Sequence, residues 1–192
     1  FVCRGGSSRG FVRVSTRFPR TFEWSDGTPF FWFGDTAWDG LSAKANFADG
    51  TFQNYVRRRR QQGFNLIQLF VGEVPPARED GAGINEGGRF FLSDDRDRIN
   101  PSFFQWVDRR IEYMMSRGMT PVLFLTWGHQ LKHFTRAQFE RYVRYVVARY
   151  AAYNVIWSLS GEWDYGRDLK EEWRYHGRVL RDADPYHHPT SI

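Results

Sequence analysis

Four times along this chain a short run of β-favouring apolar residues gives way to a segment with helical spacing, and that alternation constrains the fold more than any other feature. The runs at 29–34, 64–70, 120–126 and 154–160 are short and rich in Val, Ile, Leu, Phe and Trp, as buried strands require. Between them the period changes. Residues 46–62 carry Phe47, Phe52, Tyr55 and Val56 at core spacing, and Gly63 follows as a stop. Asn100-Pro101-Ser102 opens a second helix with Phe103, Val107, Ile111, Met114 and Met115 inward and Gly118 at its end. Thr135 caps a third, which runs to about Tyr150 on Phe139, Tyr142, Val143, Val146 and Val147. A fourth covers 169–184 and ends at Asp184-Pro185, after which His188-Pro189-Thr190-Ser191-Ile192 reads as the start of a fifth strand.

Ahead of this series, alternation at 11–14 and 21–24 and the turn signal Ser25-Asp26-Gly27-Thr28 predict a short β-hairpin. Residues 1–10, rich in Gly, Ser and Arg, are expected to be a loose N-terminal segment, and 11–192 are expected to form one domain.

Repeated β-α units imply a parallel sheet, either open and doubly wound or closed as a (β/α)8 barrel of the TIM type. An open dinucleotide-type sheet calls for a Gly-rich phosphate turn after an early strand. Here the strand ends carry Asp35-Thr36-Ala37-Trp38, Glu73, Trp127-Gly128-His129 and Gly161-Glu162-Trp163-Asp164 instead. Barrel enzymes keep their chemistry on that C-terminal rim. Carboxylates beside indoles are the material of a sugar-cleaving cleft, where acids act on the glycosidic centre and aromatic faces hold the ring. For each of these residues there is a structural alternative: Asp35 can brace its turn, Trp38 and Trp127 can fill core, and His129, His133, His187 and His188 can be surface residues.

Charge and cysteine content narrow the functional classes. The net charge of +5 arises from 27 basic residues, nearly all arginine, against 22 acids. The densest run, Arg57-Arg58-Arg59-Arg60, lies inside a helical pattern without a nucleic-acid-binding motif, so it reads as a solvated helix face rather than a nucleic-acid surface. Cys3 is the one cysteine, which rules out an intramolecular disulfide and a cysteine-rich zinc site. His187-His188 cannot share a metal on a strand, since neighbours point to opposite faces, and no metal or cofactor is expected. No apolar run approaches the ~18 residues of a membrane span.

Several separated blocks together resemble the apiosidase-like glycoside hydrolases, a cellulase-like (β/α)8 family. They are Gly27-Thr28-Pro29-Phe30-Phe31-Trp32-Phe33-Gly34-Asp35-Thr36-Ala37-Trp38, Arg59-Arg60-Gln61-Gln62-Gly63-Phe64-Asn65-Leu66-Ile67-Gln68, and Asn100-Pro101-Ser102-Phe103-Phe104-Gln105-Trp106-Val107-Asp108. The resemblance starts near Phe22 and continues to the end. It implies a retaining enzyme whose acid/base follows strand four, at Glu162, and whose nucleophile follows strand seven. The family more often has Gly-Gly-Asp where this chain has Ser160-Gly161-Glu162, so the acid is one methylene longer. Asp35, Trp38, Asn85 and Trp127 match the family's substrate-contact positions, and Glu73, His129, Trp163 and Asp164 join them as strand-end candidates. A full barrel takes ~250 residues. With 192, the chain is expected to hold the first four to five β-α units, stopping at strand five, with the nucleophile beyond Ile192 on the remainder of a longer parent chain. The resemblance implies a carbohydrate substrate and suggests secretion or a periplasmic location. A non-catalytic carbohydrate-binding or scaffold protein is the alternative.

Overall fold

In the computed structural model, which describes residues 8–72, 83–94, 96–166 and 169–192, the helical segments all pack on one side of a five-stranded sheet. Strands β1 (Val12–Val14), β2 (Phe22–Trp24) and β3 (Pro29–Phe30) form a separate antiparallel sheet. Then come β4 (Gly34–Ala37), α1 (Thr51–Gln61), β5 (Leu66–Phe70), a two-residue pair β6 (Ile84–Asn85) and β7 (Gly88–Arg89), and α2 (Pro101–Ser116). The chain continues through β8 (Thr120–Phe124), α3 (Arg136–Tyr150), β9 (Ile156–Ser158), α4 (Lys170–Ala183) and β10 (Thr190–Ser191). The order across the main sheet is β10-β9-β8-β5-β4, parallel throughout.

Burial on both faces explains why the central strands lack polar alternation. Ile67, Leu69, Leu123, Val155 and Trp157 face the helices, meeting Phe52 and Val56 of α1, Val107 and Ile111 of α2, Val143 and Val146 of α3, and Trp173 and Leu180 of α4. Leu66, Val122 and Ile156 point the other way, where Val12 and Phe30 of the antiparallel sheet cover them. Asn154 pins this cover in place, accepting from the Val12 backbone N–H at 2.7 Å and donating to Thr120 Oγ1 at 2.8 Å. Helix starts follow local chemistry. Asn100 caps α2 by accepting from Ser102 N–H at 3.0 Å ahead of Pro101, and Thr135 with Gln138 forms a reciprocal capping box on α3.

Two boundaries depart from the sequence reading. The aromatic run at 29–34 is not the first parallel strand: Phe30 pairs with Phe22 in the antiparallel sheet, and β4 begins only at Gly34. A run with no polar residue carries no register. Asn65 decides it, accepting from Phe33 N–H at 3.1 Å and donating to the Phe31 carbonyl, which leaves Phe31 77% exposed. The helix expected from 46 starts at Thr51, after a 3-10 turn at Ala43–Ala45 and a left-handed Gly50 (φ +85°). Among the described residues no helix is long and apolar enough to cross a membrane.

His188, one of the histidines given a surface reading, is buried. Its backbone N–H and Nδ1 approach Asp184 Oδ2 at 2.8 and 3.0 Å, and Trp157 Nε1 donates to the same oxygen at 3.0 Å. Burial pushes the Asp184 carboxyl up, but the backbone N–H groups of Tyr186 and His188, with Trp157, outweigh it and hold it below its ordinary range.

His176 on α4 is also fully buried, edge-on to Phe139 at 4.7 Å, with neither ring nitrogen hydrogen-bonded. Burial pushes its pKa down to about 4, against the opposing pull of Glu172 and Glu140 and with the help of Arg136. The unfolded chain therefore takes up a proton near pH 6.5 that the folded chain refuses until about pH 4, so stability falls as pH drops through that window. His176→Phe, which keeps an aromatic ring and removes the titration, should be at least as stable as wild type near pH 7 and should gain about a further 3 kcal/mol on it by pH 4 in denaturant unfolding. Parallel pH curves for the two proteins would contradict this.

Candidate active site

The parallel ladder between β8 and β9 continues past both strands through a bridge between Trp127 and Gly161. Gly161 N–H donates to Thr126 O at 3.0 Å, and Gly128 N–H donates to Gly161 O at 2.8 Å. Two glycines make the approach possible. A Cβ on Gly161 would lie 2.5 Å from the six-membered ring of Trp127, and one on Gly128 would lie 1.8 Å from the Glu162 carbonyl oxygen. The indole thus rests on the Gly161 backbone, and its Nε1 donates to Glu162 Oε2 at 2.7 Å.

Glu162 itself adopts φ +48°, a left-handed conformation that side-chain-bearing residues enter at a cost of about 1–3 kcal/mol unless surroundings enforce it. Such strain concentrates at functional sites. Here the contact with Gly128 fixes the backbone and the Trp127 bond fixes the carboxylate.

Aromatic rings surround the pair. Trp38, 38% exposed, meets Phe124 at 4.9 Å and Trp127 at 5.0 Å, both nearly perpendicular, and Phe70 meets Trp127 at 6.1 Å. Trp38, Phe70, Trp127, His129 and Gln130 line an open cavity of about 190 Å³. Gln130 is itself held by the strand end, its Oε1 accepting from Trp127 N–H at 3.1 Å.

The rim segment carrying Trp38 is braced from below by residues that the sequence reading did not single out. Arg110 of α2 is wholly buried and donates to the carbonyls of Ser42 and Ala45 at 3.3 and 3.0 Å and to Glu86 Oε2 at 2.8 Å. Glu86 in turn accepts from Phe47 N–H. An arginine in line with Phe103, Val107 and Met114 on an apolar helix face was the signal that could have found this brace. On the opposite side the Tyr142 hydroxyl lies between the carbonyls of Val71 and Leu125, joining α3 to the ends of β5 and β8.

Trp38, Trp127, His129 and Glu162 therefore come together at one end of the sheet, and other expected contacts do not. Asp35 faces the helix layer, where Tyr55 Oη donates to it at 2.7 Å and Arg59 pairs with it. Burial would raise its carboxyl, but the bonds from Tyr55, the Thr36 backbone and Arg59 outweigh that and hold it low. Asn85 is buried, donating to Phe103 O at 3.0 Å and accepting from Gly87 N–H at 2.8 Å, so its amide braces the loop rather than lining the cavity. Trp163 is 40% exposed but lines a different cavity, between α4 and the end of the chain, beside Trp173 and Ile192. Asp164 is exposed on the same 3-10 turn, Trp163–Gly166. Glu73 lies outside the described residues.

Because the obstacle at Gly128 is backbone, Gly128→Ala should force the strand ends apart, lowering stability in the intact protein by about 1–3 kcal/mol. It should also break the Trp127–Glu162 bond. An unchanged melting temperature and an unchanged Trp127–Glu162 distance in a crystal of the variant would contradict the packing described here.

Comparison with known proteins gives a consistent result. The description "Apiosidase-like, catalytic domain" matches residues 18–192. A candidate glycoside hydrolase of Bacteroides vulgatus ATCC 8482 superposes with a TM-score of 0.78 at 24% identity, over 98% of this chain and 39% of that one. A glycoside hydrolase family 5 protein of the same bacterium gives 0.77 at 22% identity, over 95% and 39%. The family 5 mannosidase of Rhizomucor miehei gives 0.74 at 14% identity, over 97% and 56%. The chain thus spans 39% to 56% of the length of these three structures. At these identities the likeness concerns the fold. No curated protein has a significantly similar sequence. With a family match reaching from residue 18 to residue 192 over an α/β fold shared with glycoside hydrolase family 5, this chain belongs to the apiosidase-like catalytic-domain family.

Proposed function

We propose that the protein is a retaining glycoside hydrolase in which Glu162 is the general acid/base, and that this chain supplies the first five strands of an eight-stranded barrel. The observation that carries the reading is the strained, doubly held Glu162 at the end of the fourth parallel strand, opening beside an aromatic cavity. Helices on a single face of the sheet support the barrel, because an open doubly wound sheet carries them on both. So does the partial coverage of the longer relatives.

In this mechanism a sugar ring packs against Trp38, and protonated Glu162 gives its proton to the glycosidic oxygen as the bond to the anomeric carbon breaks. A second carboxylate, on the part of the barrel beyond Ile192, attacks that carbon and forms a glycosyl ester. Glu162, now ionised, removes a proton from water as the water attacks, which releases the sugar and restores both groups. The substrate class is plant or microbial polysaccharide, in keeping with relatives that include a mannosidase and an endo-1,4-β-mannanase.

Glu162→Gln in the intact protein should lower turnover of glycosides with ordinary alcohol leaving groups by about 10²–10⁴-fold. Aryl glycosides, whose leaving groups need less protonation, should suffer least. Wild-type turnover of an alkyl glycoside would exclude Glu162 as the acid. Sugar binding without turnover in the wild-type protein would favour a carbohydrate-binding role on the same aromatic cavity.

A further inference from the structure

We infer that Trp127 is a positioning residue for the acid and not a sugar platform: its indole N–H holds Glu162 Oε2 so that the transferable proton sits on Oε1. This rests on Glu162 being the acid. The indole is a donor only. With the carboxyl protonated, the N–H selects Oε2 as its carbonyl oxygen and leaves the hydroxyl on the oxygen turned away from Trp127, and the same bond strengthens as Glu162 gives up that proton and becomes charged. The same bond removes rotamers from a side chain that is otherwise exposed and free to turn.

Three features of the site fit a holding role. The Gly161 backbone covers the six-membered ring of Trp127 at distances that exclude even a methyl group, so one face of the indole is closed to a sugar. Trp38 and Phe70 meet it edge to face, at 78° and 88°, and fix its plane. The polar end of the ring is committed to Glu162 at 2.7 Å. Trp38, by contrast, has no such commitment among the described residues and is the ring left to stack on substrate. The two indoles then have separate roles: Trp38 holds the sugar and Trp127 aims the proton.

The test removes the N–H and keeps the ring. Trp127→Phe and the isosteric replacement of Trp127 by benzothienylalanine, in which sulfur stands for N–H, are compared with wild type in the intact protein. Each is assayed on an alkyl glycoside and on an aryl glycoside with a good leaving group, with Glu162→Gln alongside. The expected result for both replacements is a kcat about ten- to a hundredfold lower on the alkyl glycoside, the effect of losing one charge-assisted hydrogen bond. KM should stay within about threefold and kcat on the aryl glycoside should be nearly unchanged, because proton transfer is the step affected. A rise in KM on both substrates with kcat preserved would show a sugar platform and overturn the inference. Wild-type kinetics for the benzothienylalanine protein, whose shape preserves the packing even where Phe does not, would also overturn it. In either case a Glu162→Gln protein inactive on the alkyl glycoside leaves the acid assignment standing, whereas an active one removes that assignment instead.

Discussion

The close approach of two strand ends, permitted by glycine at 128 and 161, is the constraint on which the rest of the site depends. Parallel strands ordinarily part where their ladder stops, and their side chains then point at solvent. Here the ladder runs on for one more bridge, with the Gly128 and Gly161 N–H groups both bonded across it. That brings an indole down onto bare backbone and forces the next residue, Glu162, into a left-handed turn. The carboxylate is thereby delivered by main-chain geometry and held by one side-chain bond. A site built on rigid strand ends in this way is more sharply defined than one carried by a loop.

Support for the other half of the cavity is electrostatic. The segment after β4 turns twice in 3-10 form and presents carbonyls to which a buried arginine donates, while its carboxylate partner accepts from the Phe47 N–H. A buried ion pair is seldom a net source of stability, and its value is in specifying one arrangement. What Arg110 and Glu86 specify is the path of the chain beneath Trp38. Apolar residues of the same volume could fill that space but could not bond the carbonyls of Ser42 and Ala45.

Much of this architecture was legible in the residues, and the failures have physical causes. The β-α alternation is visible because each buried strand is a compact apolar run and each helix has a separate period. Glu162 is visible because an acid ends such a run. The start of β4 was misread because an aromatic stretch from Pro29 to Phe33 has no polar residue to reveal which side chains face out. Displacing a strand by an odd number of residues exchanges its faces. With β4 beginning at Gly34, Asp35 shares the helix-facing side with Ile67 and meets Tyr55 and Arg59, while Thr36 shares the opposite side with Gln68. The burial of Asn85 and His188 was not legible for another reason: polar residues in connecting segments look exposed until the backbone groups they must satisfy are known. Neither the Gly128 contact nor the Trp127 bond has a sequence signature, since both join segments more than thirty residues apart.

The central claim is that Glu162, aimed by the two strand ends, meets the scissile bond. It is tested most directly by a crystal structure of the intact protein with an uncleaved thio-linked oligosaccharide bound. The account predicts the linking sulfur within about 3–3.5 Å of the Glu162 carboxyl oxygen that faces away from Trp127, with a sugar ring against Trp38. A ligand seated with its linkage beyond hydrogen-bonding reach of Glu162, or stacked on Trp127 with the Trp127–Glu162 bond broken, would contradict it.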